Sequence, residues 1–181
     1  MKKIAYSILV GAVAASSALA GERTVSHKDS KDKVVVPEAI PCFKDQEFQL
    51  DVFGSFTNGA RDYRYDDGFG GGIGVNYFFT RNIGVGVDGN LYDGGVHGVW
   101  TSSASVIARF PVDLGHFCFA PYIFGGGGVR SDGHTVGTEH AGAGIEFRVT
   151  PRVGIFGDGR YTWAEDRNDS ITTRVGVRFV F

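Results

Sequence analysis

Nucleophilic hydrolysis needs a serine or cysteine beside a histidine that a third group orients. The histidines of this chain are His27, His97, His116, His134 and His140. His140 alone falls in a segment with strand periodicity. Its candidate partners are Glu139 beside it and Ser131 or Ser170 on neighbouring loops, and no serine lies close to it in sequence. That pattern is too sparse for a catalytic site, so the chain reads as a non-enzyme. Acids at Asp66, Asp67, Asp93, Glu165, Asp166 and Asp169 could hold calcium or bridge to lipid phosphates, but their spacing matches no defined calcium loop. They read as solvated turns. Gly125 to Gly128 lacks the lysine and helix of a phosphate loop. No cofactor or metal is expected, and a formal charge of −2 offers nothing for nucleic acid.

A second set of ionisable residues is more orderly. Asp51, Asp88, Glu146 and Asp158 are its acids, and Arg109, Arg148, Arg160, Arg174 and Arg178 its bases. Each sits on the polar side of a segment that alternates polar and apolar residues. A planar guanidinium pairs with carboxylates in a confined site better than lysine does, and no lysine occurs after residue 46. A buried charge left unpaired costs several kcal/mol, so the near match predicts an internal ion-pair network.

The elements that must hold this set are strands. From Glu47 onward the sequence has period two. Phe48, Leu50, Val52 and Phe56 face one way and Glu47, Gln49, Asp51 and Ser55 the other. Six further segments, centred on residues 69–79, 83–91, 100–110, 140–149, 153–163 and 173–181, alternate in the same manner. One more, Phe117 to Gly127, carries aromatics on both faces and is ambiguous. Tight turns are expected at Thr80 to Asn82 and Thr150 to Arg152, with a modest one at Pro111 to His116. Longer loops are expected near 57–68, 93–98, 129–138 and 164–170.

Ahead of the strands, Lys2 and Lys3 precede an apolar run from Ile4 to Ala14, and Ala18-Leu19-Ala20 supplies a signal-peptidase site. Residues 1–20 read as a signal peptide, 21–46 as a charged, proline-interrupted periplasmic arm and 47–181 as the barrel. Removal of the leader leaves a charge of −4, from 16 basic and 20 acidic side chains.

Alternation alone does not say whether the apolar face meets lipid or a soluble core. Glycine decides it. Gly70, Gly72, Gly74, Gly84, Gly86, Gly142 and Gly144 lie on the polar face, where an eight-stranded barrel has room for few large side chains. Aromatics near strand ends (Phe56, Phe69, Tyr77, Phe79, Trp100, Phe110, Tyr161, Trp163, Phe181) would form membrane-interface girdles. The fold class is therefore all-β, an eight-stranded antiparallel up-and-down transmembrane β-barrel.

The stretch Phe69 to Asp88 and the closing Arg174 to Phe181 resemble small outer-membrane barrels of the OmpA/OmpX and opacity-protein type. The resemblance covers 47–181 and implies the outer membrane of a Gram-negative bacterium. Contact with outer-membrane lipid and lipopolysaccharide is expected, and a monomer. Phe179 and Phe181 would belong to the signal read by the barrel-assembly machinery. The role implied is structural or surface-interacting. The alternatives are a narrow porin-like channel, a lipid-modifying enzyme or, were the protein soluble, a lipocalin-like carrier. Cys42 and Cys118 should both lie near the periplasmic rim of an oxidising compartment. They are either disulfide-bonded, holding the arm at the mouth, or two separate thiols.

Overall fold

The computed structural model describes residues 42–59, 68–93, 98–114, 117–165 and 169–181. The leader at 1–20, the arm as far as residue 41, His27, His97, His116, Asp66, Asp67 and Asp166 lie outside the described residues.

The period-two sequence forms strands β1 (Glu47–Gly59), β2 (Gly68–Phe78), β3 (Ile83–Asp93) and β4 (Gly98–Arg109). A two-residue strand β5 (Val112–Asp113) follows, then β6 (Cys118–Ser131), β7 (Thr135–Thr150), β8 (Val153–Ala164) and β9 (Ser170–Val180). Every pairing is antiparallel. β1 pairs with both β2 and β9, and β4 with both β3 and β6, so the eight long strands close on themselves. Closure leaves no row of unpaired backbone groups, the condition for crossing hydrocarbon with strands. The short strand β5 lies inside the turn before β6 and pairs Asp113 with Cys118.

The two tight turns share a device. Thr80 Oγ1 accepts from the N–H groups of Asn82 (3.3 Å) and Ile83 (3.1 Å), and Thr150 Oγ1 from those of Arg152 (3.3 Å) and Val153 (3.0 Å). Such hydroxyl-to-backbone bonds satisfy donors that a strand reversal strands.

Orientation is apolar outward. Ile73 is 64% exposed and Val175 66%, whereas Arg109 is 1% and Gln49 0%. A lipocalin-like carrier would have these faces reversed. Phe56 with Phe69 and Tyr161 with Trp163 gather near the long-loop rim. Phe48 with Phe181, Tyr77 with Phe79, and Phe117, Phe119 and Phe147 gather near the short-turn rim.

Two expectations are corrected. The ambiguous fifth segment is an ordinary strand in which Cys118, Ala120, Tyr122 and Phe124 point inward and Ile123 outward, with Phe117 exposed just ahead of it. The long loop expected over 129–138 is only Asp132 to His134, because β6 and β7 continue pairing up to Ser131 and Thr135.

The inward rings are seated against glycine. Phe53 stands in register with Gly72 on one side and Gly176 on the other, Phe78 with Gly84, Phe124 with Gly142, and Tyr122 with Gly144. A Cβ on Gly84 would come within 2.8 Å of the Phe78 ring, and one on Gly144 within 2.7 Å of the Tyr122 ring. Glycine on the inner wall is thus the space into which a neighbouring ring lies.

Candidate functional site in the barrel lumen

The ionisable residues are stacked in tiers down the barrel. At the short-turn mouth, Glu47 Oε1 accepts from Arg109 Nη1 (2.7 Å), Arg148 Nη2 (2.6 Å) and Gln49 Nε2 (2.6 Å). Arg148 Nε also lies 2.5 Å from Glu146 Oε1, close but off the hydrogen-bond direction. The Arg109 guanidinium rests 3.7 Å from the centre of the Phe78 ring. Such a flat cation over an aromatic face gains electrostatic attraction without needing water.

Above this tier, Arg178 makes a two-pronged contact with Asp51, Nε to Oδ1 and Nη2 to Oδ2 at 2.7 Å each, while its Nη1 donates to Glu146 Oε2 at 2.6 Å. Asn76 adds a donor to Asp51 at 2.8 Å. Asp51 and Arg178 are directly opposed across the β1–β9 pairing.

The next tier crosses the barrel. Arg160 on β8 holds Asp88 on β3 with bonds of 2.7 and 3.1 Å, and Ser103 joins both. Those two strands stand on opposite sides of the eight-membered ring. Arg174 grips Asp158 at 2.7 and 2.9 Å and lies 3.4 Å from Asp88. Phe124 sits under both guanidiniums, 5.4 Å from each.

The sequence expectation named four acids and five arginines; the structure brings all nine into these tiers. It adds a fifth acid, Glu47, and in these ion pairs five carboxylates meet five guanidiniums. Glu47 had a visible signal, its place on the polar side of the first segment, but it stands at the strand's first residue, where alternation has barely begun. Arg130, placed by sequence in a loop, is buried in β6 at the long-loop end.

Near this end a cavity of about 30 Å³ is lined by residues that include Asp88, Asn90, Arg130, His140 and Arg174. That is room for about two waters.

The candidate hydrolytic grouping is not assembled. His140 points inward and its Nε2 is 2.8 Å from Ser105 Oγ, not from Ser131 or Ser170. Glu139 is on the opposite, exposed face of the strand. Ser105 lies two strands away and reaches His140 over Gly126, which stands in register with both.

At the mouth, Cys42 and Cys118 are joined in a disulfide with a Cα–Cα distance of 6.2 Å. Among the described residues, side chains of metal-ligand type gather at this one place, where Asp113 stands beside the two bonded sulfurs. Phe179 and Phe181 face outward, and the Phe181 N–H donates to the Phe48 carbonyl at 2.9 Å.

Residues 39–179 match the family described as outer membrane protein beta-barrel domain. Among solved structures, the N-terminal β-barrel domain of Pseudomonas aeruginosa OprF is similar over 76% of this chain and 99% of its own (TM-score 0.60, 18% identity). Neisserial surface protein A is similar over 74% and 95% (0.58, 19%). Ail, the attachment invasion locus protein of Yersinia pestis, is similar over 76% and 99% (0.56, 17%). Identities this low carry the fold alone. No curated protein sequence matches the chain significantly.

Proposed function

The chain belongs to the outer membrane protein beta-barrel domain family, and from that premise we propose that it is a closed, non-conducting barrel with a structural or surface-interaction role. The Arg160–Asp88 contact carries the reading: it ties opposite walls together, and with Arg174 and Phe124 it occupies the section through which ions would have to pass. A charge-balanced, ring-packed lumen has value as a rigid support. It presents the long-loop rim to the outside and asks nothing of the interior except that it stay shut.

The similar structures include a surface protein and an attachment invasion protein. A surface role for this chain agrees with them. On this reading residues 1–20 are an export signal removed after Ala20, and the barrel is a monomer bathed in phospholipid and lipopolysaccharide. Phe179 and Phe181 are the terminal aromatics offered to the assembly machinery.

Planar-bilayer recording of the refolded full chain tests the reading. No stepwise conductance is expected over hours at 100 mV; regular steps would replace the plug with a narrow channel. A lipid-modifying enzyme is disfavoured because Ser105 and His140 both point into the lumen, away from lipid. Mass spectrometry of lipid A from cells with and without the protein checks this, and an altered acyl pattern would reinstate the enzyme.

A further inference from the structure

Phe43 is pushed into the short-turn mouth, 2% exposed, with the guanidiniums of Arg109 and Arg148 at 5.0 and 4.6 Å from its ring. The short segment that carries it is fastened at several points. The Lys44 N–H donates to Glu47 Oε2 (3.3 Å) and the Lys44 carbonyl accepts from Arg109 Nη2 (3.2 Å). The Arg81 N–H donates to Asp45 Oδ1 (2.5 Å). Gln46 then turns the chain into β1 with φ at 55°, a left-handed conformation that a residue with a Cβ adopts at a cost. A segment bent against its own preference needs a hold, and the one covalent hold described is Cys42–Cys118.

We propose that this disulfide is a redox latch on a Phe43 plug, and that Asp113 guards the latch. Oxidised, it keeps Phe43 in the mouth and water away from Glu47, Arg109 and Arg148. Reduced, it frees residues 42–46 and opens that charged tier. The geometry of the rim carries this whatever surface role the barrel has.

The chemistry is exchange with a dithiol reductant. A reductant thiolate attacks one sulfur of the latch, the Cys42–Cys118 bond breaks as a mixed disulfide forms, and the expelled sulfur leaves as a thiolate and takes a proton. The second reductant thiol, as its thiolate, then closes the reductant's own disulfide and releases the remaining cysteine. Two electrons pass from the reductant to the latch, leaving two thiols.

The two sulfurs are not equivalent in this. The Cys42 residue is only partly buried, whereas Cys118 is 5% exposed. Attack on the accessible Cys42 must expel Cys118, whose sulfur lies 3.7 Å from the Asp113 carboxylate. A negative charge there opposes the leaving thiolate, and a poorer leaving thiol slows exchange. The β5–β6 pairing of Asp113 with Cys118 keeps the carboxylate in place. Attack on Cys118, which would expel Cys42, is blocked by burial.

The test uses the full chain folded in detergent micelles, with dithiothreitol as reductant. Thiols are trapped with iodoacetamide and counted by mass, and cleavage after Lys44 by trypsin reports the plug. Oxidised protein should resist cleavage. Reduced protein, and Cys42→Ser without reductant, should be cut at least tenfold faster while keeping the unboiled gel mobility of a folded barrel. Asp113→Asn should be reduced several-fold faster than the parent. Equal resistance of the oxidised, reduced and Cys42→Ser proteins would overturn the latch. An unchanged reduction rate in Asp113→Asn would overturn the guard.

Discussion

Tyr122 on β6 donates its hydroxyl to Asp158 on β8 at 2.7 Å, over the bare backbone of Gly144 on the strand between them. The same construction recurs. Ser105 meets His140 over Gly126, Arg160 lies near Phe124 over Gly142, and Phe53 meets Phe156 edge-on over Gly176. At each of these places a Cβ on the middle residue would run into its neighbours. Omitting the middle side chain lets the outer two bond.

Glycines on the two faces should therefore respond oppositely to alanine. A Cβ at Gly144 would sit 2.7 Å from Tyr122 Cζ, whereas one at Gly159, on the outer face, meets nothing within 4 Å. Overpacking of this kind costs roughly 1–3 kcal/mol. Gly→Ala at an unstrained strand position gains up to about 1 kcal/mol by restricting the unfolded chain. Gly144→Ala should lower, and Gly159→Ala hold or raise, the temperature at which the folded gel band is lost. Equal losses at both sites would refute the bridging role of Gly144.

Arg178 closes the seam between the first and last strands and serves two carboxylates, Asp51 and Glu146. Arg178→Ala takes the guanidinium from both, leaving Asp51 with only the Asn76 amide and Glu146 with only Arg148, and breaking a buried pair costs roughly 3–5 kcal/mol. Arg178→Lys restores the charge but not the fork, so it should recover less than half of that loss. Urea titration of folding into lipid vesicles measures both. A lysine variant as stable as the parent would mean that charge alone matters at the seam.

The barrel was legible because lipid on one side and a polar lumen on the other write a sharp period of two. The signal fails where either side changes. The inner rings of Phe53, Phe78 and Phe156 share a phase with polar neighbours, and only the register reveals that each has glycine opposite. At the tops of β6 and β7, Gly127, Gly137 and Glu139 replace the apolar outer face. Without that face the strands read as loop, and Arg130 was lost with them. The Ser105–His140 contact joins residues 35 apart in sequence and depends on a pairing through a third strand.

Glu47, the acid at the strand's edge, carries a prediction of its own. Glu47→Gln removes the charge shared by Arg109 and Arg148 while keeping the size of the side chain. Two guanidiniums facing a neutral amide in a buried mouth should cost about 3 kcal/mol, read as a lower urea midpoint with an unchanged slope. A changed slope would instead report a loosened native barrel.

The outer face makes the sharpest demand. Val175 lies midway along β9, 66% exposed, opposite Gly157 and Gly54, so a replacement there disturbs no side-chain partner across the strands. Val149, 65% exposed, stands next to the Thr150 turn at the short-turn rim. Arginine near the bilayer midplane costs roughly 2–4 kcal/mol, and near the interface about 0–1. Val175→Arg should therefore destabilise the barrel in vesicles severalfold more than Val149→Arg, although both introduce the same charge at an equally exposed valine. In water the two would be equally harmless, because an exposed arginine there loses no hydration. A difference that follows depth and not exposure is the signature of hydrocarbon against this face.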